Sequence, residues 1–300
     1  MSLISFEMSL IAMIPGIFLC GYIFFKDRIE REPIGLLAIL AGVGFLAYIP
    51  SHFASEFIIG IIDKLYRGSM AFSPEGILSF GTRWAEITHG ILCAFLGFAL
   101  MQTAVKWLAL YFLTHRSRHF NYLFDGIVYS VFLSIGYALA ENLHFALGND
   151  MELLLPKLLA SVPCHLFVGI IMGYCYTLWR VRFIANDIES RMLKKGIIGE
   201  DKVRSSGIWL ITSILLPFSV MGIYLYAGSF PNDIASFIFF TLVFTLYGFS
   251  FILIDRLAVK DGSSKRYVFR LIAKEHTEVS AEDVERFAVE DNAEAEGEDR

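Results

Sequence analysis

Five residues in this 300-residue chain combine types and spacings that suit metal or acid–base chemistry: Glu86 and His89, Glu141 and His144, and His165. Residues three apart share a helix face, so each Glu-x-x-His pair points a carboxylate and an imidazole the same way. Carboxylate and neutral imidazole suit Zn²⁺, and three such ligands leave a fourth position for a water whose pKa the metal draws towards 7. Such a centre hydrolyses. All five are candidate ligands. His89 and His144, nearer the interface, stand as further ligands or as bystanders. The plainer alternative is that these groups hydrogen-bond one another in neutral form and only pin helices together.

Three predicted membrane helices must position them. Phe124–Phe145 is almost wholly apolar yet carries Glu141 near its end. An acidic side chain at a helix centre costs about 2.5–3.5 kcal/mol on insertion scales, so it faces a bundle interior. Gly126, Ser130, Ser134 and Ala138 recur every four residues, a small stripe that ends at Glu141 and turns it inward. The stretch Gly81–Leu113 sets Glu86 on the stripe of Gly90, Ala94 and Gly97. Leu153–Arg180 sets His165 among Ser161, Gly169 and Gly173, with Pro163 placed to bend the helix beside it. At 1.5 Å per residue, Glu86, Glu141 and His165 lie about 8, 10 and 18 Å from the outer ends of their helices, depths compatible with one site.

The chain as a whole is 56% hydrophobic and only 18% charged, with a mean hydropathy of +0.58, which makes it an all-α polytopic membrane bundle whose solvent is the lipid bilayer. About seven spans are expected: Ser5–Phe25, Ile34–Pro50, Gly81–Leu113, Phe124–Phe145, Leu153–Arg180, Gly207–Ala227 and Ile234–Ile254. Ser51–Pro74 suits an interfacial or re-entrant segment, and Val181–Arg204 a basic loop. Lys and Arg concentrate after spans one, three, five and seven, which puts the N-terminus outside and the C-terminus in the cytoplasm. The net charge of −5 belongs to the tail, since Leu271–Arg300 holds eleven acids against three bases. Residues 1–257 thus form the transmembrane domain, and 258–300 a cytoplasmic tail, basic then acidic and partly disordered. Cys20, Cys93, Cys164 and Cys175 lie in apolar runs without metal-binding spacing, and no nucleic-acid motif is present.

Over roughly Lys26–Gly228 the chain resembles the PrsW family of intramembrane proteases, distant relatives of the CAAX-processing and bacteriocin-processing membrane peptidases. The resemblance rests on Glu32-Pro33 after a charged loop, on Asp125-Gly126-Ile127-Val128-Tyr129 continuing to Gly136-Tyr137-Ala138-Leu139-Ala140-Glu141-Asn142, and on Ser161-Val162-Pro163-Cys164-His165 followed by Gly169 and Gly173. Family members usually carry a Glu-Glu-x-x-Lys motif on the preceding span. Here Ala85-Glu86 takes the place of the pair and His89 that of the lysine, while a later His-Gly-x-Tyr pattern has become Met221-Gly222-Ile223-Tyr224.

The resemblance implies an endopeptidase of the bacterial cytoplasmic membrane that hydrolyses a membrane-anchored protein near its extracytoplasmic side, with a divalent metal, zinc by ligand type, held by Glu141 and His165 and activating the water, and with Glu86 as the third ligand or the general base that takes the water's proton. The altered motifs leave a second expectation open: a pseudoprotease that binds a membrane client without cutting it. A third takes the two Glu-x-x-His pairs as a carboxylate-bridged di-metal site, which normally needs two further inward acids.

Overall fold

In a computed structural model, described over residues 3–27, 29–72, 78–148, 151–199, 205–229 and 233–298, the chain is a helical membrane bundle. The helices are α1 (Leu3–Lys26), α2 (Ile34–Tyr66), α3 (Arg83–Leu92), which passes through a π-helical stretch (Cys93–Ala99) into α4 (Leu100–Thr114), α5 (Asp125–Gly148), α6 (Met151–Lys194), α7 (Gly207–Ala227), α8 (Asp233–Val259), α9 (Ser264–Glu275) and α10 (Ala281–Glu298). Six helical stretches are long and apolar enough to span a membrane, and α1, apolar over Ile11–Lys26, packs against α5 as the seventh. A short antiparallel hairpin, β1 (Met70–Phe72) with β2 (Leu78–Phe80), follows α2 in the chain and packs against α3.

α5 is the axis. From Asp125 to Ala138 every residue is buried, and the helix packs on α6, α2 and α1. Glycines set how close these neighbours come: a Cβ at Gly136 would run into the Ala41 carbonyl of α2, and one at Gly126 into Thr177 of α6. The stripes anticipated on α5 and α6 do meet, with Ser134 against Gly169 and Gly126 against Gly173. Large side chains fill the remainder, with Tyr129, Tyr137 and Tyr176 all fully buried.

Three segments differ from expectation. α2 does not stop at Pro50 but runs on to Tyr66, so residues 51–66 are helix rather than an interfacial or re-entrant segment. The ring at Pro50 removes one backbone donor, and packing on α5 and α4 outweighs that loss. α6 likewise continues past Arg180 to Lys194, 44 residues or about 66 Å, twice the hydrocarbon thickness. Its last turns join α9 and α10 around a second core of Ile188, Met192, Val268, Ile272, Val284 and Phe287. The tail therefore contains a packed helical unit, reinforced by Arg182 bonded to Glu189 and Glu275. Residues 149–150 and 200–204, parts of the expected turn after α5 and loop after α6, lie outside the described residues.

Candidate active site

Glu141 of α5 faces α6, one turn beyond the buried Tyr137. Its Oε2 lies 2.9 Å from His165 Nε2 and its Oε1 2.5 Å from Lys157 Nζ. The other imidazole nitrogen, His165 Nδ1, is 2.8 Å from Lys106 Nζ of α4. An ammonium only donates, so Lys106 fixes the tautomer: Nδ1 accepts, and Nε2 carries the proton it donates to Glu141. The result is a directed chain from Lys106 through His165 to Glu141, with Lys157 donating from the far side. Lys106 and His165 are buried, and Lys106 also lies over the Tyr137 ring at 4.2 Å. Tyr137 is held in turn by Ser51, its hydroxyl 2.8 Å from Ser51 Oγ.

Beside this chain opens a cavity of about 430 Å³ between α2, α4, α5, α6 and α7. Tyr48, His52 and Glu56 of α2 line one wall, Gln102 and Tyr137 the interior, and His144 the mouth. Tyr48 is hydrogen-bonded to His144 Nδ1, and the His52 and His144 rings meet edge to face at 4.9 Å. The volume and the mixed lining suit a peptide segment rather than a bulk-water channel.

Of the residues singled out in the sequence, Glu141 and His144 line one cavity, and His165 is buried behind Glu141, bonded to it. Glu86 and His89 do not join them. Glu86 is exposed, and His89 Nε2 pairs with Asp63 at 2.8 Å under the Tyr66 ring. Depth gives the reason: Glu86 precedes the cavity-lining Gln102 by sixteen residues, about 24 Å of helix. Gly90 meets Tyr226 of α7 and Gly97 meets Ile59 of α2 instead.

The lysine opposite Glu141 and His165 is Lys106, and the Glu-Glu-x-x-Lys spacing counted back from it falls on Gln102-Thr103-Ala104-Val105-Lys106. Gln102 and Thr103 are buried, Gln102 lines the cavity, and neither Gln102 Oε1 nor Thr103 Oγ1 has a hydrogen-bond partner among the described residues. Neutral side chains thus stand where the motif has two carboxylates. Met221 lies buried with its sulfur 3.9 Å from Cys164 Sγ, next in sequence to His165, so that position too offers no imidazole.

This donor set does not fit a divalent cation. Both Glu141 oxygens and both His165 nitrogens are engaged by protein partners, and two ammoniums flank the pair where a metal would need further anions or imidazoles. His144 is turned to Tyr48 and His52. Among the described residues, the ligand types that converge are Asp63, His89 and Cys93, all within 4.8 Å at the outer end of α2 and α3, away from the cavity lining. Lys106 and Lys157 escaped the sequence reading, although a lysine inside the apolar run of α4 was itself the signal, since such a residue faces a bundle interior or a cavity. His52 and Glu56 were hidden by reading 51–74 as interfacial.

The model of the PrsW family intramembrane metalloprotease matches residues 32–244. The chain is 25% identical to Protease PrsW of Bacillus subtilis (strain 168) over 212 residues, 69% of this chain and 86% of the relative. It is 28% identical to Protease PrsW of Geobacillus kaustophilus (strain HTA426) over 210 residues, 70% of this chain and 74% of the relative. Over 160 residues it is 30% identical to Protease PrsW of Oceanobacillus iheyensis, 53% of this chain and 63% of the relative. No solved structure matches. With these relatives and its long apolar helices, the chain is a multi-pass protein of the bacterial cytoplasmic membrane, and it belongs to the PrsW family of intramembrane metalloproteases.

Proposed function

We propose that this chain receives a membrane-anchored protein segment in the cavity beside Glu141 and holds it without cutting it. The observation that carries the reading is the pairing of two features: Gln102 and Thr103 at the motif's carboxylate positions, and the closed chain Lys106–His165–Glu141–Lys157. Hydrolysis needs a base with a free lone pair within reach of water. Here the carboxylate is committed to a lysine and an imidazole proton, and Gln102 and Thr103 cannot take a proton at neutral pH. The basic loops after α1, α4, α6 and α8 favour an orientation with the cavity in the outer half of the membrane. Its client is then a tethered protein entering from the extracytoplasmic side.

The second reading is hydrolysis of that same segment, favoured by the Glu141–His165 pair at the cavity wall and by the relatives named Protease PrsW. Glu141, once released from Lys157 by an entering substrate, would accept the water's proton.

One experiment separates the two: a membrane-tethered reporter carrying a photo-crosslinker, expressed with wild type and with Gln102→Glu/Thr103→Glu. Capture without a cleavage product in wild type, and zinc of about one per chain gained only in the double variant, is the expected result. A cleavage product from wild type that disappears in Glu141→Ala would establish hydrolysis and remove the holding role.

A further inference from the structure

A second cavity, of about 300 Å³, lies between α5, α6, α8 and α9, at the opposite end of the bundle from Glu141. It sits where α8 ends at Val259 and α5 begins at Asp125, the end that carries the basic loops. Its wall is apolar, formed by Phe124 and Ile127 of α5 and its lead-in, Leu178 of α6 and Leu257 of α8. Lys260 stands at the rim, exposed and without an ion pair among the described residues. Tyr174 and Tyr267 complete the rim, 43% and 40% exposed, the amphipathic aromatic type that settles at headgroup level.

Basic side chains dominate the exposed surface around the cavity, while the nearby acids Asp125 and Asp261 are drawn in towards backbone N–H groups. Asp261, the acid next to Lys260, is half-buried and bonded to the backbone, its Oδ1 accepting the N–H groups of Phe124 at 2.9 Å and Gly262 at 2.8 Å. α9 presents Lys265, Arg266 and Arg270 to the exterior, and Arg256 is exposed one turn before Lys260. An apolar slot at the membrane boundary, closed by an unpaired ammonium on a basic surface, is complementary to a molecule with an anionic head and a hydrocarbon chain.

We propose that this cavity binds an anionic phospholipid of the cytoplasmic leaflet, with its phosphate on Lys260 and the first part of an acyl chain against Ile127, Leu178 and Leu257. A zwitterionic lipid offers Lys260 no net charge, and a free phosphate leaves the apolar slot unfilled. Leu257, Lys260 and Tyr267 lie beyond the residues the family model matches, so the site joins the shared bundle to the helices that follow it.

The test is native mass spectrometry of the full chain in detergent, titrated with phosphatidylglycerol, with phosphatidylcholine of the same chains, and with inorganic phosphate. Wild type should retain phosphatidylglycerol over phosphatidylcholine by about fivefold, the worth of one lysine at an anionic surface. Lys260→Ala should lose that preference. Leu257→Trp, which fills the slot and keeps the charge, should lose it too, whereas Lys265→Glu on the exposed face of α9 should keep it. Unfolding temperatures in lipid-free detergent report whether the variants fold, and Lys260→Ala, at an exposed position, decides if Leu257→Trp does not. Equal retention of the two lipids, an unaffected Lys260→Ala, or an equal loss in Lys265→Glu would overturn the site. Displacement of the lipid by inorganic phosphate would show a free-anion site instead.

Discussion

Charge is buried at both ends of α5, and the two ends settle it differently. Near its last turns Glu141 is surrounded by donors, with Lys157 and His165 on its oxygens and Lys106 behind the imidazole. At its first turn, some 24 Å away along the helix, the carboxyls of Asp27, Glu32 and Asp125 are buried together, with backbone N–H groups rather than lysines on Asp27 and Asp125 and with Tyr129 and Asp125 beside Glu32. Burial pushes the Glu32 carboxyl up to about 7, with Asp27 and Glu30 adding like charge, and pushes Asp27 up to about 6. One cluster is balanced by opposite charge, whereas burial shifts the other towards its protonated forms. The first therefore depends on every member, whereas the second depends on pH.

The largest effect should come from breaking the outer cluster at its centre. Glu141→Gln leaves two ammoniums facing each other across a neutral amide, and unfolding in detergent should show a loss of about 3–5 kcal/mol. Removing Lys106 and Lys157 as well, both to Met, should recover most of it, and failure to recover would mean the loss was not electrostatic. Lys106→Met alone takes the donor from His165 Nδ1 and should cost about 1.5–3 kcal/mol.

At the inner cluster the sign reverses. Between about pH 4.5 and 7 folded Glu32 binds more protons than it does unfolded, so stability should fall as pH rises through that window. Glu32→Gln should be neutral or stabilising at pH 8 and should flatten the profile; an unchanged slope would place the titration on another group. The smallest change is expected at Ser51→Ala, about 1 kcal/mol, because it removes one neutral hydrogen bond from Tyr137.

The bundle was legible because its signals are local. Apolar length marks α5 and α7, and the stripe of Gly126, Ser130 and Ser134 faces α6 as its spacing requires. Glu141 and His165 were legible for a related reason, since a carboxylate and an imidazole on small-residue faces have few stable places except against each other. Lys106 carried the same kind of signal, a lysine inside the apolar run Leu100–Thr114, but its pairing with His165, 59 residues later, is what no local pattern shows. Pro50 reads as a terminator in isolation, yet contacts with α5 and α4, distant in sequence, carry α2 through it. The acidic tail reads as solvated because Val284, Phe287 and Ala288 are sparse among acids, and their partners Ile188 and Met192 lie about a hundred residues earlier.

The length of α6 has a mechanical consequence. His165 and Ile188 lie on one uninterrupted rod, about 35 Å apart at 1.5 Å per residue. A rod stores little strain along its axis but transmits tilt in full, so pivoting it by about 5° at Pro163 would carry Ile188 sideways by about 3 Å. Conversely, a 3 Å displacement of the helices clasped around Ile188 reaches His165 as a change of angle with almost no change of position. Angle is the variable to which a hydrogen bond 2.9 Å long, such as that from His165 to Glu141, is most sensitive.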